Sequence, residues 1–181
     1  MNGSQALNAL KNKQNLILIG MPGAGKSTVG VLLAKRCGMA FSDTDILIQT
    51  GERRYLQELI SIRGVSGFRE IEEKYLLGVP ADRSVVATGG SAVYSEKAMS
   101  HLKSLGIVVY LQIALTSLKT RLGNLVERGV VMTPGQTLDM LYEERRPLYE
   151  KYADVTISTD TMTPDQVAAQ VMERYAQSAI V

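Results

Sequence analysis

Apolar and β-branched residues along this chain form short, nearly continuous runs, and longer segments with helical periodicity separate them. A run of this kind is typical of a parallel strand that is covered on both faces. We therefore predict strands over 16–19, 40–43, 85–88, 107–111 and 155–158. The intervening segments predict helices over 27–37, 55–62, 66–77, 95–105, 115–122, 137–152 and 164–176. This alternation indicates one α/β domain over residues 1–181, with a parallel sheet flanked by helices.

Composition and charge narrow the possible function classes. The chain has 181 residues, of which 45% are hydrophobic and 21% charged, as in a globular domain rather than a disordered chain. A net charge of +2 is too small to indicate a nucleic-acid binder. No run reaches the roughly 20 apolar residues of a membrane span. Residues 1–13 are polar, are expected to be loosely ordered and lack the pattern of a signal peptide. A single cysteine, Cys37, excludes an internal disulfide and, with one histidine, a zinc site of soft ligands, so we expect a cytoplasmic protein.

The first strand leads directly into the sequence GMPGAGKST at 20–28, which matches the phosphate-loop pattern G-x-x-x-x-G-K-[ST] in full. Glycines let the backbone N–H groups of such a loop point at phosphate oxygens, and the following helix adds its N-terminal dipole. Lys26 is expected to reach the β and γ phosphates, and the Ser27 hydroxyl to bind Mg²⁺. The loop predicts a nucleoside triphosphate site formed by Gly23, Ala24, Gly25, Lys26, Ser27 and Thr28.

Two aspartates, Asp43 and Asp45, follow the predicted second strand, at the sheet edge where α/β proteins bind ligands. On an extended segment these side chains point the same way. One carboxylate could hold Mg²⁺ through water while the other accepts a proton from an acceptor hydroxyl. The alternative is a solvated helix start, in which Asp45 caps the helix that begins at Ile46.

Arginines and a glycine-rich turn are candidates for binding an anionic substrate. Arg69 lies early in one predicted helix and Arg145 late in another, and a guanidinium matches a carboxylate as a rigid fork. The turn TGGS at 88–91 follows the third strand, where backbone N–H groups could bind an anion. Taken alone, the sequence around each arginine favours a surface charge paired at helical spacing, and the turn favours a plain connection.

The segment over about 122–136 has glycine and proline punctuation and weak periodicity, and it lies between two predicted helices. This pattern is typical of a lid that closes over phosphates and excludes water. Arg121 and Arg128 flank its first half, and a lid arginine can neutralise charge on the transferring phosphoryl group. The alternative is a surface loop with incidental arginines.

Together these motifs resemble the shikimate kinases, a family in the P-loop group of nucleoside-monophosphate-kinase-like proteins. The resemblance covers 15–176 and rests on GMPGAGKSTVG, FSDTD, GFREIEE, ATGGSAV and RRPLYEKYADVTI, in the family's order. It implies a five-stranded parallel sheet of order 2-3-1-4-5 with a lid. It also implies transfer of the ATP γ-phosphate to the 3-hydroxyl of shikimate, with Mg²⁺, as a step in aromatic amino acid biosynthesis.

The resemblance also implies residue roles. Lys26 and Ser27 would serve phosphate and Mg²⁺, Asp43 would hold Mg²⁺ through water, and Asp45 would help to deprotonate the acceptor. The carboxylate of shikimate would be bound by Arg69 and Arg145 with the amides of Gly89, Gly90 and Ser91. The nucleotide would be bound by Arg128 at the γ-phosphate and by Arg121 and Pro164 on either side of adenine. We expect a monomer whose partner is a small molecule rather than nucleic acid or membrane.

Three positions depart from the family pattern. The third glycine of the family's Gly-Gly-Gly is Ser91, the lid signature Arg-Pro-Leu-Leu reads Arg128-Gly129-Val130-Val131, and Val65 replaces a customary Glu. Two alternatives therefore stay open. One is a P-loop kinase for another carboxylate-bearing polyol or hydroxy acid, and the other is a weakly catalytic ATP-binding module.

Overall fold

In a computed structural model, the sheet of this protein has five parallel strands in the order β2-β3-β1-β4-β5. The structure describes residues 15–122, 130–133 and 135–178. The strands are β1 Asn15–Ile19, β2 Ala40–Asp43, β3 Ser84–Ala87, β4 Gly106–Gln112 and β5 Val155–Ser158. The helices are α1 Lys26–Cys37, α2 Thr44–Glu52, α3 Leu56–Leu77, α4 Glu96–Leu105, α5 Leu115–Leu122, α6 Leu138–Tyr152 and α7 Pro164–Ser178, with a 3₁₀ turn over Ala92–Tyr94. This arrangement confirms the predicted fold class and strand order.

The central strand β1 is buried on both faces because it pairs in parallel with β3 on one side and β4 on the other. Its register aligns Leu16 with Val85 and with Ile107. Every residue of β1 is buried, which explains why the strand is continuously apolar except for Asn15. The Asn15 side chain donates to the Pro80 carbonyl and accepts from the Ser84 amide, so its polar atoms are satisfied inside the core.

The structure differs from the sequence prediction around the second strand. Residues 44–52 form helix α2, which the sequence analysis raised only as an alternative, with its start at Ile46. Its N-cap is Asp43, whose side chain accepts from the amides of Asp45 and Ile46. The alternative in which Asp45 caps this helix is therefore wrong. Asp45 lies in the first turn rather than on an extended segment, so the prediction that the two side chains point alike from a strand does not hold.

The two helices predicted over 55–62 and 66–77 form one helical span, α3, with a break at Gly64. Gly64 has φ 69° and ψ 176°, a left-handed φ that favours glycine. The sequence boundaries therefore located the break correctly.

The strand order places three connections side by side. Because β2, β3 and β1 are parallel neighbours, their carboxyl ends lie at one edge of the sheet. The chain leaves these ends through the phosphate loop after β1, the start of α2 after β2, and the turn at 88–91 after β3. No helix in the described ranges is long and apolar enough to span a bilayer.

Candidate active site

The phosphate loop presents free helix-terminal amides to the sheet edge. Helix α1 has Gly25 as its N-cap with φ 94°, a left-handed conformation that explains the glycine, and no side chain caps the helix. The first turn also carries no acidic residue. An uncapped helix N-terminus beside a tight loop is suited to bind phosphate oxygens.

The Lys26 side chain is buried beneath this loop. Its Nζ donates to the carbonyl oxygens of Gly20 at 2.7 Å and Met21 at 3.0 Å. Burial lowers the pKa of Lys26 to about 8, although the nearby carboxylate of Asp45 opposes the shift. The charge of Lys26 is therefore held in place without a contacting counter-ion, as a phosphate-binding lysine requires.

Ser27 and Asp43 form the candidate cation site. The Ser27 hydroxyl donates to Asp43 Oδ2 at 2.6 Å, while Asp43 Oδ1 accepts from the amide of Asp45 at 3.0 Å. The second contact fixes the carboxylate in the orientation that faces the loop. Hydroxyl and carboxylate oxygens are hard donors of the kind that Mg²⁺ takes, together with phosphate oxygens and water. In the part of the chain that the structure describes, no cluster of three or more His, Cys, Asp or Glu residues offers a competing metal site.

Two buried carboxyl groups, Asp45 and Glu72, approach Gly89 from the same side. A Cβ atom on Gly89 would lie 2.7 Å from Asp45 Oδ1 and closer still to Glu72 Oε1, so any side chain there would displace these two carboxyl groups. Burial raises the pKa of Asp45 to about 6, because the neighbouring charge of Lys26 only partly compensates for desolvation. Burial also raises the pKa of Glu72 to about 7.

Side-chain hydrogen bonds fix the turn at 88–91. The Ser91 hydroxyl donates to Glu72 Oε2 at 2.6 Å, and the Gly89 amide donates to the Thr44 hydroxyl at 3.0 Å. The Tyr149 hydroxyl donates to the Gly90 carbonyl at 2.6 Å. Since the Gly89 N–H already has a partner, the amides of Gly90 and Ser91 are the better candidates for an anion.

The two predicted arginines converge on Tyr94. The guanidinium carbon of Arg69 lies 3.7 Å from the ring centroid, and that of Arg145 lies 5.2 Å from it. Arg145 is fully buried, and its Nη2 donates to the Val131 carbonyl at 2.7 Å. Arg69 Nε and Arg145 Nη1 are buried without a hydrogen-bond partner among the described residues. Buried donors in this state point to a ligand with acceptor oxygens.

These elements enclose a cavity of about 490 Å³ at the sheet edge. Its walls come from the phosphate loop, the start of α2, the turn at 88–91, helix α3, and Val130 and Val131 of the predicted lid segment. The lining residues are Pro22, Gly23, Gly25, Lys26, Ser27, Thr28, Asp45, Leu56, Phe68, Thr88, Gly89, Gly90, Ser91, Val130, Val131 and Arg145. Arg69 lines a second cavity of about 320 Å³, which shares Ser91 with the first. The cavities adjoin, with Arg69 and Arg145 on either side of their boundary.

The two residues expected to bind adenine, Arg121 and Pro164, lie on α5 and at the start of α7. Arg121 Nη2 donates to the Thr159 carbonyl at 3.1 Å, and Pro164 begins α7 four residues after Asp160. This contact brings Arg121 to the connection that precedes Pro164. The described residues do not include 1–14, nor 123–129 and 134 of the predicted lid, and Arg128 lies in the second of these ranges.

Sequence reasoning missed Glu72 and Tyr94. Glu72 could have been found, because it lies four residues after buried Phe68 on α3 and so shares its inward face. Tyr94 carries no such signal. It reaches the arginines only because a 3₁₀ turn over Ala92–Tyr94 aims it toward α3 and α6.

A phosphate loop after the central strand, a buried lysine, a hydroxyl–carboxylate pair and two arginines with unpartnered buried donors among the described residues are together typical of a P-loop phosphotransferase for a small anionic acceptor. Within that class, the shikimate kinase family model matches residues 22–176. The chain belongs to the shikimate kinase family.

Relatives support this assignment over almost the whole chain. The chain is 37% identical over 165 residues to the shikimate kinase of Thermodesulfovibrio yellowstonii, covering 90% of this chain and 95% of that protein. It is 35% identical over 167 residues to the enzyme of Vibrio parahaemolyticus, covering 91% and 97%. A solved shikimate kinase from Acinetobacter baumannii in complex with shikimate superposes with a TM-score of 0.86 at 29% identity, covering 95% of this chain and 98% of that one. The chain is thus a phosphotransferase with an alcohol acceptor, and ATP-dependent phosphorylation of shikimate is the activity that these comparisons support.

Proposed function

We propose that this protein transfers the γ-phosphate of ATP to the 3-hydroxyl of shikimate with the residues around the 490 Å³ cavity. The phosphate loop, from Gly23 to Thr28, binds the triphosphate through backbone amides, and Lys26 offsets its charge. Arg121 and Pro164 bind adenine from opposite sides. Arg128 is proposed to contact the γ-phosphate.

The observation that carries the acceptor assignment is the pair of unpartnered buried donors, Arg69 Nε and Arg145 Nη1, in the described part of the chain. A buried donor without a partner costs about 1–3 kcal/mol. A carboxylate ligand provides the missing acceptors and also balances two cationic charges. The amides of Gly90 and Ser91 complete the binding of this carboxylate, whereas the Gly89 amide is occupied by Thr44.

Asp45 is proposed to accept the proton of the acceptor hydroxyl. Its carboxylate lines the cavity between the phosphate loop and the turn at 88–91. As the hydroxyl oxygen forms its bond to the γ-phosphorus, the bond from that phosphorus to the bridging oxygen breaks, ADP leaves, and the proton passes to Asp45. A base with a pKa of about 6 is ionised at neutral pH and still accepts a proton at little cost.

The Ser27 hydroxyl and the Asp43 carboxylate fit a Mg²⁺ ion as the partner of ATP, with Asp43 acting through water. When bound, the ion neutralises charge on the phosphate oxygens. The hydrogen bond of 2.6 Å between these two side chains supports the assignment, because it places both oxygens at one point beside the loop.

Ser91 does not weaken the assignment to shikimate. Its hydroxyl is directed at Glu72, and Ser91 is 3% exposed, so its polar atom is satisfied within the protein. The described contacts of Ser91 therefore do not favour a hydroxy acid other than shikimate as the acceptor.

The acceptor assignment is tested by comparing shikimate with its methyl ester, which has the same hydroxyls and no carboxylate. We expect kcat/KM for the ester to be at least about 100-fold lower, because charged hydrogen bonds to the two arginines contribute about 1.5–3 kcal/mol each. Arg145→Met should remove most of this discrimination, whereas Arg146→Met, on the same helix but paired with surface Glu143 and Glu150, should not. Equal rates for acid and ester would contradict the proposal.

The cellular setting is proposed to be the cytoplasm, where ATP is available and the buried free thiol of Cys37 stays reduced. We also propose that the enzyme acts as a monomer. Light scattering at the concentrations used for assay tests this point, and a stable dimer would contradict it.

A further inference from the structure

Among the described residues, neither arginine of the acceptor pocket forms an ion pair within 4 Å, although the buried carboxyl of Glu72 is near enough to interact electrostatically with both. The ion pairs among the described residues involve other side chains, and Arg69 and Arg145 take part in none of them. Both guanidinium groups instead lie against Tyr94, at 3.7 Å and 5.2 Å from its ring centroid. An aromatic face attracts a cation through its quadrupole and carries no net charge.

The hydroxyl of Tyr94 extends this arrangement to α6. Arg145 Nε donates to Tyr94 Oη at 3.3 Å, and Tyr94 Oη donates to Glu144 Oε1 at 2.7 Å. The direction of both bonds is fixed, because a guanidinium can only donate and a carboxylate only accepts. Gln136 Nε2 donates to the other oxygen of Glu144 at 2.6 Å, which anchors Glu144 as the acceptor.

We propose that Tyr94 is a positioning residue for acceptor binding: its ring and hydroxyl orient Arg69 and Arg145 without neutralising them. A carboxylate in its place would hold the arginines equally well, but it would compete with the carboxylate of the substrate. The neutral ring adds no negative charge beyond that of the nearby Glu72 carboxyl, so it does not compete further with the ligand for the two positive charges. The inference rests on the proposed function, in which these arginines bind the carboxylate of shikimate.

Two substitutions separate the ring from the hydroxyl. Tyr94→Leu removes both, so KM for shikimate should rise about tenfold, within the range of a partly desolvated cation–π contact and a hydrogen bond. Tyr94→Phe keeps the ring over Arg69, so KM should rise only about two- to threefold. The KM for ATP and kcat should stay within about twofold in both, because Tyr94 contacts neither the phosphate loop nor Asp45.

The matched control is Tyr75→Phe. Tyr75 also donates its hydroxyl to a glutamate, Glu52 at 3.1 Å, but it lines neither cavity. This variant should have the wild-type KM for shikimate. Thermal denaturation of all variants shows whether they fold.

The decisive readout is the discrimination between shikimate and its methyl ester. Tyr94→Leu should lower kcat/KM for shikimate about tenfold and leave that for the ester within about twofold, since only the acid uses the oriented charges. An equal loss for both compounds, or an unchanged KM for shikimate, would overturn the inference. Arg145→Met and Arg69→Met distinguish this failure from that of the proposed function. If these variants lose the preference for the acid over the ester while Tyr94→Leu keeps it, only the role of Tyr94 is wrong. If they keep the preference, the acceptor assignment itself is wrong.

Discussion

The pH dependence of turnover follows directly from the burial of Asp45. Its pKa is raised from 3.8 to about 6, and the proposed reaction needs its ionised form. A raised pKa means that the required form is lost as pH falls through about 6. At about pH 5 only about one tenth of a group with pKa 6 is ionised, whereas more than about nine tenths of an ordinary aspartate would be. The structure therefore predicts an approximately tenfold loss between about pH 7 and pH 5, a range in which Lys26 stays protonated.

The assay uses initial rates with both substrates far below their KM, which report the free enzyme. Asp45→Asn is measured in parallel and should be about 10²–10⁴-fold slower at pH 8. Because ATP and shikimate titrate identically in both experiments, the ratio of wild-type to variant rates isolates Asp45. That ratio should fall about tenfold by about pH 5. A ratio that stays constant would refute the reasoning, and so would a fall near pH 7 that disappears in Glu72→Gln, because Glu72 would then be the titrating group.

Two further predictions concern neighbouring groups. Burial lowers the pKa of Lys26 to about 8, so kcat/KM should fall as pH rises through about 8. Saturating ATP should move this fall in rate to higher pH, because bound phosphate favours the protonated lysine. A fall at the same pH with and without saturating ATP would contradict the assignment. Ser91→Ala should lower the free energy of unfolding, measured in urea, by about 1–3 kcal/mol at about pH 8 and by less at about pH 5. The reason is that the Ser91 hydroxyl stabilises the ionised form of Glu72. An equal loss at both pH values would mean that the charge of Glu72 is not involved.

The parts of the fold that were predictable depend on local patterns. The nearly continuous apolar or β-branched runs identified β1, β3, β4 and β5, and the weaker pattern AFSD identified β2. Gly64 divides α3 at the place where the periodicity was interrupted. The phosphate loop was found from its sequence alone, since its glycines and lysine are required by the loop's own backbone geometry. The strand order came from the family resemblance rather than from these patterns.

The missed features depend on contacts between distant segments. Helix α2 begins at Thr44 because Asp43 caps it, yet the same aspartate also accepts from Ser27, sixteen residues earlier in the sequence. Tyr94 and Arg145 are separated by 51 residues, and only the packing of α6 against the 3₁₀ turn joins them. Local propensity contains no information on such pairs, so the orientation of the arginines could not be derived from the sequence.

Transfer of the γ-phosphate of ATP to shikimate is best tested by measuring ADP release from Mg·ATP with and without shikimate, with Lys26→Met as the blank. We expect ADP release that depends on shikimate, with one equivalent of shikimate 3-phosphate per ADP, identified by phosphorus NMR. The variant should release no ADP above background. Nucleotide binding without shikimate-dependent release, or release at the same rate when shikimate is omitted, would contradict the proposed transfer.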